Sequence, residues 1–308
     1  MLKELLDTKK CFKLVCGAGN EDANEVEKLV ALYSSAGCKF FDLSAKPQIV
    51  DSAKRGLNGR EGYLCVSVGI KGDPHIRKAQ INPEQCIHCH KCEEICPQNT
   101  IKYCKVKSQG CIGCGKCYEI CKHNAISFTS ENKDLKEVLP DLIKMGIDCI
   151  ELHAMGENDD WVEKWDYINS IYDGLLSICT ARGHLSEEKM IERINKMIAN
   201  RKPFSTIIQA DGFPMSGGQD DYKTTLQAIA TAEIVQNAKL PVYIMLSGGT
   251  NSKTAELAKM CNIDYNGIAI GTFARKIVKK YIEREDFLRN EHVFNEALKI
   301  AKWLIEKV

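Results

Sequence analysis

No apolar run in the 308-residue sequence approaches the ~20 residues that a membrane span needs. The opening stretch, MLKELLDTKKCFKLVCGAG, lacks a long apolar core, so an export signal is not expected. Neither charge is in excess: 42 Lys and Arg stand against 41 Asp and Glu. That balance gives no electrostatic ground for binding nucleic acid or an anionic membrane surface. The turn GAGNED lacks the third glycine of a dinucleotide-binding G-x-G-x-x-G fingerprint. Cysteine, by contrast, is plentiful. Sixteen of them in a long chain with no export signal point to metal binding, not to a disulfide scaffold. A reducing, cytoplasmic setting is expected.

Hydrophobic residues make up 44%, enough for a sizeable core. Short apolar runs alternate with amphipathic stretches along most of the chain. CFKLVCGAG, CKFFDLS and GYLCVSVG read as the first three strands. IDCIELHA, GLLSICTAR, FSTIIQADG, LPVYIMLSGG and YNGIAIGTFAR read as five more. A helical stretch such as NEDANEVEKLVALYSSAG, acidic in its first turn and closed by Gly37, follows each. Strands alternating with helices imply a parallel sheet, and eight units in about 250 residues match a (β/α)8 barrel. An open doubly wound sheet is the alternative. The expected division is barrel over 1–73, a cysteine-dense insert over 74–128, and barrel again over 129–308. The insert then falls after the third strand, on the C-terminal face where barrels carry their sites.

Within the insert, Cys86, Cys89, Cys92 and Cys96 form one run, and Cys111, Cys114, Cys117 and Cys121 form another. Both follow C-x2-C-x2-C-x3-C, the spacing of bacterial ferredoxins with two [4Fe–4S] clusters. Three thiolates on one tight turn reach three irons of a cubane, and the fourth points to the other cluster. Cys86, Cys89, Cys92 and Cys121 are therefore expected to hold one cluster, and Cys111, Cys114, Cys117 and Cys96 the other. Structural zinc is the rival, but zinc sites more often use two separated C-x2-C pairs. A module this small needs its clusters in order to fold. Of the remaining cysteines, Cys11, Cys38, Cys65 and Cys149 suit an apolar role within strands. Cys16 and Cys179 end strands and reach the barrel mouth, Cys104 is a candidate redox thiol inside the insert, and Cys261 completes the set.

At the mouth, LSGGTN and IGTFAR close the last two strands. Barrels often bind phosphate there through backbone N–H groups. Gly248, Gly249, Gly271 and Thr272 are the candidate phosphate site, and flavin mononucleotide (FMN) is one candidate ligand. Tight turns alone also explain the glycines. The long loop QADGFPMSGGQDD carries Asp211 and Ser216. Glu151 and His153 alternate on one strand and so share a face, either as a structural pair or as an acid/base pair. Thr180 and Arg182 end the next strand. No lysine ends the fifth or sixth strand, which argues against a Schiff-base aldolase.

FKLVCGAGNED, AGCKFFDLSAKPQIVDSAKRG, DPHIRKAQINPEQC, the paired cysteine runs, QADGFPMSGG and SGGTN occur in that order. They resemble segments of the light-dependent period proteins of cyanobacteria, and the similarity covers nearly the whole chain. DGFPMSGG and GGTN are the more discriminating parts, since many families share the ferredoxin motif. The resemblance implies an iron–sulfur protein that senses or relays cellular redox state, in cyanobacteria as input to the circadian clock. It implies no known reaction. The expected function is electron transfer or redox sensing with a redox partner protein. The alternative is an oxidoreductase whose clusters serve a flavin or a phosphate-bearing small molecule at the mouth.

Overall fold

The computed structural model describes the chain apart from residues 18, 70–76, 131–133, 155–160, 183–184 and 213–218. Helix α1 (Leu2–Asp7) leads into β1 (Cys11–Val15), α2 (Ala23–Ser35), β2 (Phe40–Ser44), α3 (Pro47–Leu57) and β3 (Tyr63–Gly69). The cysteine-dense stretch then supplies β4 (Arg77–Ile81), α4 (Lys91–Ile95), β5 (Ile101–Lys102), β6 (Lys105–Val106), α5 (Lys116–Ile120) and β7 (Ile126–Ser130). Alternation resumes with α6 (Leu135–Lys144), β8 (Cys149–His153), α7 (Trp161–Ile171), β9 (Leu175–Ala181) and α8 (Glu187–Ile198). It ends with β10 (Thr206–Asp211), α9 (Tyr222–Asn237), β11 (Tyr243–Ser247), α10 (Thr254–Met260), β12 (Gly267–Ile270), α11 (Thr272–Ile282) and α12 (Glu291–Ile305).

Strands β1, β2, β3, β8, β9, β10, β11 and β12 close a barrel, with β12 returning to β1 in parallel register. This is the expected (β/α)8 architecture, and each barrel strand lies within a segment read as a strand. β3 and β8 are direct neighbours although the cysteine-dense stretch separates them in sequence. That stretch forms its own small sheets, and β4 pairs with β7 antiparallel from Arg77–Ser130 to Ile81–Ile126. The expected first boundary, at 74, falls outside the described residues, and β7 runs past the expected 128.

Local chemistry accounts for the helix ends. Asp22 caps α2 by accepting from the Glu25 amide at 3.2 Å, and Asp221 caps α9 from the Thr224 amide at 2.9 Å. Pro47 opens α3, where its missing N–H is not needed. Gly56 on α3 lets α2 approach closely: a Cβ there would lie 2.5 Å from the Glu27 carbonyl oxygen. The main core fills the space between helices and barrel. A second cluster fills the N-terminal end of the barrel interior, where Cys11, Phe40, Cys65, Cys149 and Ile207 meet Leu2 and Leu6 of α1. The barrel is thus packed with apolar groups at one end, which leaves its C-terminal end to carry polar side chains. Among the described residues, no helix is long and apolar enough to cross a membrane.

Candidate functional site

The two cysteine runs share one backbone design. His88 and Gly113, the residues just before the second cysteine of each run, both have positive φ (57° and 65°). His90 and Gly115, directly after the second cysteine of each run, are left-handed too, at 60° and 85°, and each stands at the N-cap of a short helix, α4 or α5. Left-handed residues at these points curl the chain, so successive thiols converge on one side. The helices end at Cys96 and Cys121. Asn99 and Asn124, again left-handed, then turn the chain away.

Two cavities result. Cys86, Cys89, Cys92 and Cys121 line the first, with Cys104, Ile81, Ile87 and Ile126 around them. Cys96, Cys111, Cys114 and Cys117 line the second, with Ala79, Pro97, Ile101 and Phe128. Each cavity thus draws three cysteines from one run and one from the other. The Ala79 amide donates to the Cys111 sulfur at 3.4 Å. Arg77 donates to the Gly113 carbonyl at 2.8 Å and lies over the Phe128 ring. Burial, and then the neighbouring Cys114, pushes the Cys117 thiol up to about 11. Burial also pushes the Cys104 thiol, beside Cys86, up to about 11. Four soft sulfur donors in an apolar shell, with a backbone N–H aimed at one sulfur, fit an iron–sulfur cluster.

Comparison with known proteins agrees with this donor chemistry. Residues 75–132 match the LdpA Fe-S cluster-binding domain, and residues 141–307 match the Light dependent period A C-terminal domain. The chain is 30% identical to Light dependent period A of Synechococcus elongatus, over 91% of this chain and 84% of that protein. It belongs to the light-dependent period A family. It is an iron–sulfur protein. Among solved structures, the YdjI aldolase from Escherichia coli K12 is similar with a TM-score of 0.51 and 8% identity, covering 100% of this chain and 95% of that one. That likeness concerns the fold alone. Tryptophan synthase from M. tuberculosis gives a TM-score of 0.48 at 9% identity, covering 100% and 98%.

The residues read as a phosphate site have separate surroundings in this family member. Gly248 and Gly249 have φ of +67° and +76°. A Cβ on Gly249 would lie 2.1 Å from the Thr224 carbonyl oxygen, and one on Gly248 2.6 Å from the Gly212 nitrogen. Close backbone neighbours therefore require these glycines. A Cβ on Gly271 would lie 3.2 Å from the Val15 Cβ. Thr272 instead lines a cleft of about 1050 Å³ between barrel and insert. Arg275, Lys276, Lys102, Lys105 and Lys116 also line it, and Pro97 links it to the second cysteine cavity. Arg275 is 7% exposed and donates to the Cys16 carbonyl at 2.7 Å. Its Nε has no hydrogen-bond partner among the described residues.

A second polar group fills the C-terminal half of the barrel interior. Lys13 of β1 is fully buried and donates to Glu151 Oε2 at 2.6 Å and to Gln209 Oε1 at 3.3 Å. Its ammonium lies 3.8 Å from Asp42. Ser67 donates to Asp42 at 2.6 Å, and Ser177 to Glu151 at 2.9 Å. Burial opposes the charge on Lys13, yet Asp42 and Glu151 hold it well above the usual ammonium range. Burial would also raise Glu151, but Lys13 and His153 outweigh it and hold this carboxyl below the carboxylate range. Burial lifts Asp42, and burial together with the Glu151 charge lifts Asp211 to about 6.

Glu151 and His153 do share a face, with Nε2 3.3 Å from Oε1. Cys179 joins them, 3.4 Å from the same oxygen. Thr180 is buried, whereas Arg182 is exposed and lies 3.7 Å from Glu187. Ser216 lies outside the described residues. Sequence reasoning missed Lys13, Asp42 and Gln209. The available signal was a polar residue at the centre of each apolar strand: CFKLV, FFDLS and TIIQAD.

Proposed function

We propose that the chain carries electrons between two [4Fe–4S] clusters and so reports or relays redox state. Cys86, Cys89, Cys92 and Cys121 hold one cluster, and Cys111, Cys114, Cys117 and Cys96 hold the other. The observation that carries this reading is the pair of cavities, each lined by three cysteines of one run and one from the opposite run. Such crossing keeps two clusters close enough to exchange electrons. Exposed Ile87 and Tyr103 beside the first cavity suit docking of a protein redox partner. Anaerobically purified protein is expected to hold about eight irons and eight acid-labile sulfides per chain. Stoichiometric zinc with little iron after anaerobic reconstitution would overturn the assignment.

The cleft supports a second reading. Its lysines, together with Thr272 and Arg275, suit an anionic ligand such as FMN or another phosphate-bearing molecule, close to the second cluster. The clusters would then serve an oxidoreductase. Titration with FMN and with inorganic phosphate tests this. Arg275→Gln is expected to weaken binding roughly 10- to 100-fold, in line with the loss of a hydrogen bond to a charged group. Absence of binding at millimolar ligand leaves the relay reading alone.

A further inference from the structure

The barrel interior offers a set of donors that the cysteine-lined cavities do not use. Glu151 Oε1, His153 Nε2 and Cys179 Sγ lie within 4.8 Å of one another, and all three residues are buried. Ligands 2.0–2.3 Å from a tetrahedral ion sit roughly 3.3–3.7 Å apart. Here Glu151 Oε1 is 3.3 Å from His153 Nε2 and 3.4 Å from Cys179 Sγ. The strands explain the meeting, since His153 and Cys179 are register partners on β8 and β9. Asp211 ends the next strand, and its Oδ2 is buried with no hydrogen-bond partner among the described residues. Burial, and then the neighbouring Asp211 and Glu151 carboxyls, raise the Cys179 thiol well above its ordinary range.

The surrounding groups orient these donors. Lys13 and Ser177 engage Glu151 Oε2, while Oε1 faces His153 and Cys179 and also accepts from Ser67 at 3.3 Å. Lys13 also donates to Gln209 Oε1, and this fixes the amide so that Nε2 donates to Cys179 Sγ at 3.2 Å. The Cys179 thiol itself donates to Glu151 Oε1 at 3.4 Å, and an incoming metal ion would displace that proton.

We propose that Glu151, His153 and Cys179, with Asp211 at the end of the adjacent strand, form a mononuclear site for a divalent first-row transition-metal ion, separate from the iron–sulfur clusters. A thiolate, an imidazole and a carboxylate select zinc or ferrous iron over magnesium or calcium. Its position at the C-terminal end of the strands is where barrels carry their chemistry.

The test uses full-length protein with its clusters loaded under anaerobic conditions. Metal analysis after equilibration with micromolar Zn²⁺ or Fe²⁺ is expected to find one ion per chain beyond the cluster iron, and the two arms identify which metal is preferred. X-ray absorption at the zinc edge is expected to show one sulfur and three nitrogen or oxygen ligands. Cys179→Ser and His153→Ala are each expected to weaken binding on the order of 100-fold, while Cys261→Ser, at an exposed cysteine, leaves it unchanged. A sulfur-only shell, no ion beyond the clusters, or binding that survives both substitutions would sink the proposal. The wild-type spectrum decides the matter even if one variant fails to fold.

Discussion

The two cysteine-lined cavities share one backbone plan yet face different neighbours. Around the first, Cys89 is exposed, Ile87 is 60% exposed and Tyr103 83%. Around the second, Cys111 and Cys117 are buried, and the wall of Pro97, Gln98 and Thr100 is shared with the cleft against the barrel. The insert is held to the barrel on this second side. The Glu21 amide donates to the Gln109 carbonyl at 2.7 Å, Lys279 reaches the Pro97 carbonyl at 3.3 Å, and Lys107 pairs with Asp22. The repeat therefore does two jobs. One cavity meets the outside, and the other meets the barrel.

Removing the crossing cysteines breaks this comparison most severely. Cys96→Ala is expected to empty the cavity of Cys111, Cys114 and Cys117, and Cys121→Ala that of Cys86, Cys89 and Cys92. Each variant should lose about four irons per chain, read by iron analysis with Mössbauer or paramagnetic resonance spectra. Loss of the cluster on the variant's own run would show that the ligation is not crossed.

The next test exploits the left-handed turns. Gly115→Val places a β-branched side chain at φ +85°, with its Cβ 3.1 Å from Arg77. It is expected to destabilise the insert by at least ~1–2 kcal/mol, whereas His90→Gly relieves the same strain and is expected to stabilise by at most ~1 kcal/mol. Denaturant midpoints followed by cluster absorbance measure both. Equal effects of opposite position would mean that the two turns are not equivalent in the loaded protein.

A smaller effect concerns potential. Arg77 and the Ala79 amide lie at the second cavity, so that cluster is expected to be the easier to reduce. Arg77→Gln should lower its potential by roughly 50 mV, about the effect of one charge at this range in a partly solvated site. A redox titration that shifts the other cluster instead reverses the assignment of surroundings. The smallest effect is expected for Cys104→Ser. Cys104 lines the first cavity, but four other cysteines there already make a complete set. Iron content should be unchanged, and loss of a cluster would make Cys104 a ligand.

The barrel was legible because its strands are short apolar runs bounded by glycine-rich turns, and that pattern needs only local information. The repeated turns of the two cysteine runs were legible for a related reason: fixed spacing implies a fixed turn. The polar interior was legible only in part, through Glu151 and His153; Lys13, Asp42 and Gln209 were missed. Lys13 between Phe12 and Leu14 reads as ordinary alternation, and only barrel closure turns that face inward toward Glu151. The packing role of the mouth glycines was hidden for the same physical reason. Gly249 is required by the Thr224 carbonyl, a neighbour brought in by another loop. The cleft beside Thr272 arises where insert and barrel pack together, and no single segment encodes it.

The antiparallel pairing of β4 with β7 has a consequence for how the chain assembles. Before it forms, joining β3 to β8 must close a loop that contains the whole stretch between Gly69 and Cys149. Once Arg77 stands opposite Ser130, the slack falls from about 80 to about 25 residues. At ~0.6 kcal/mol per doubling of loop length, that lowers the entropic barrier by about 1 kcal/mol. Iron and sulfide supplied during refolding are thus expected to quicken barrel closure roughly fivefold. Barrel fluorescence that recovers at one rate with or without them would separate cofactor delivery from the timing of the fold.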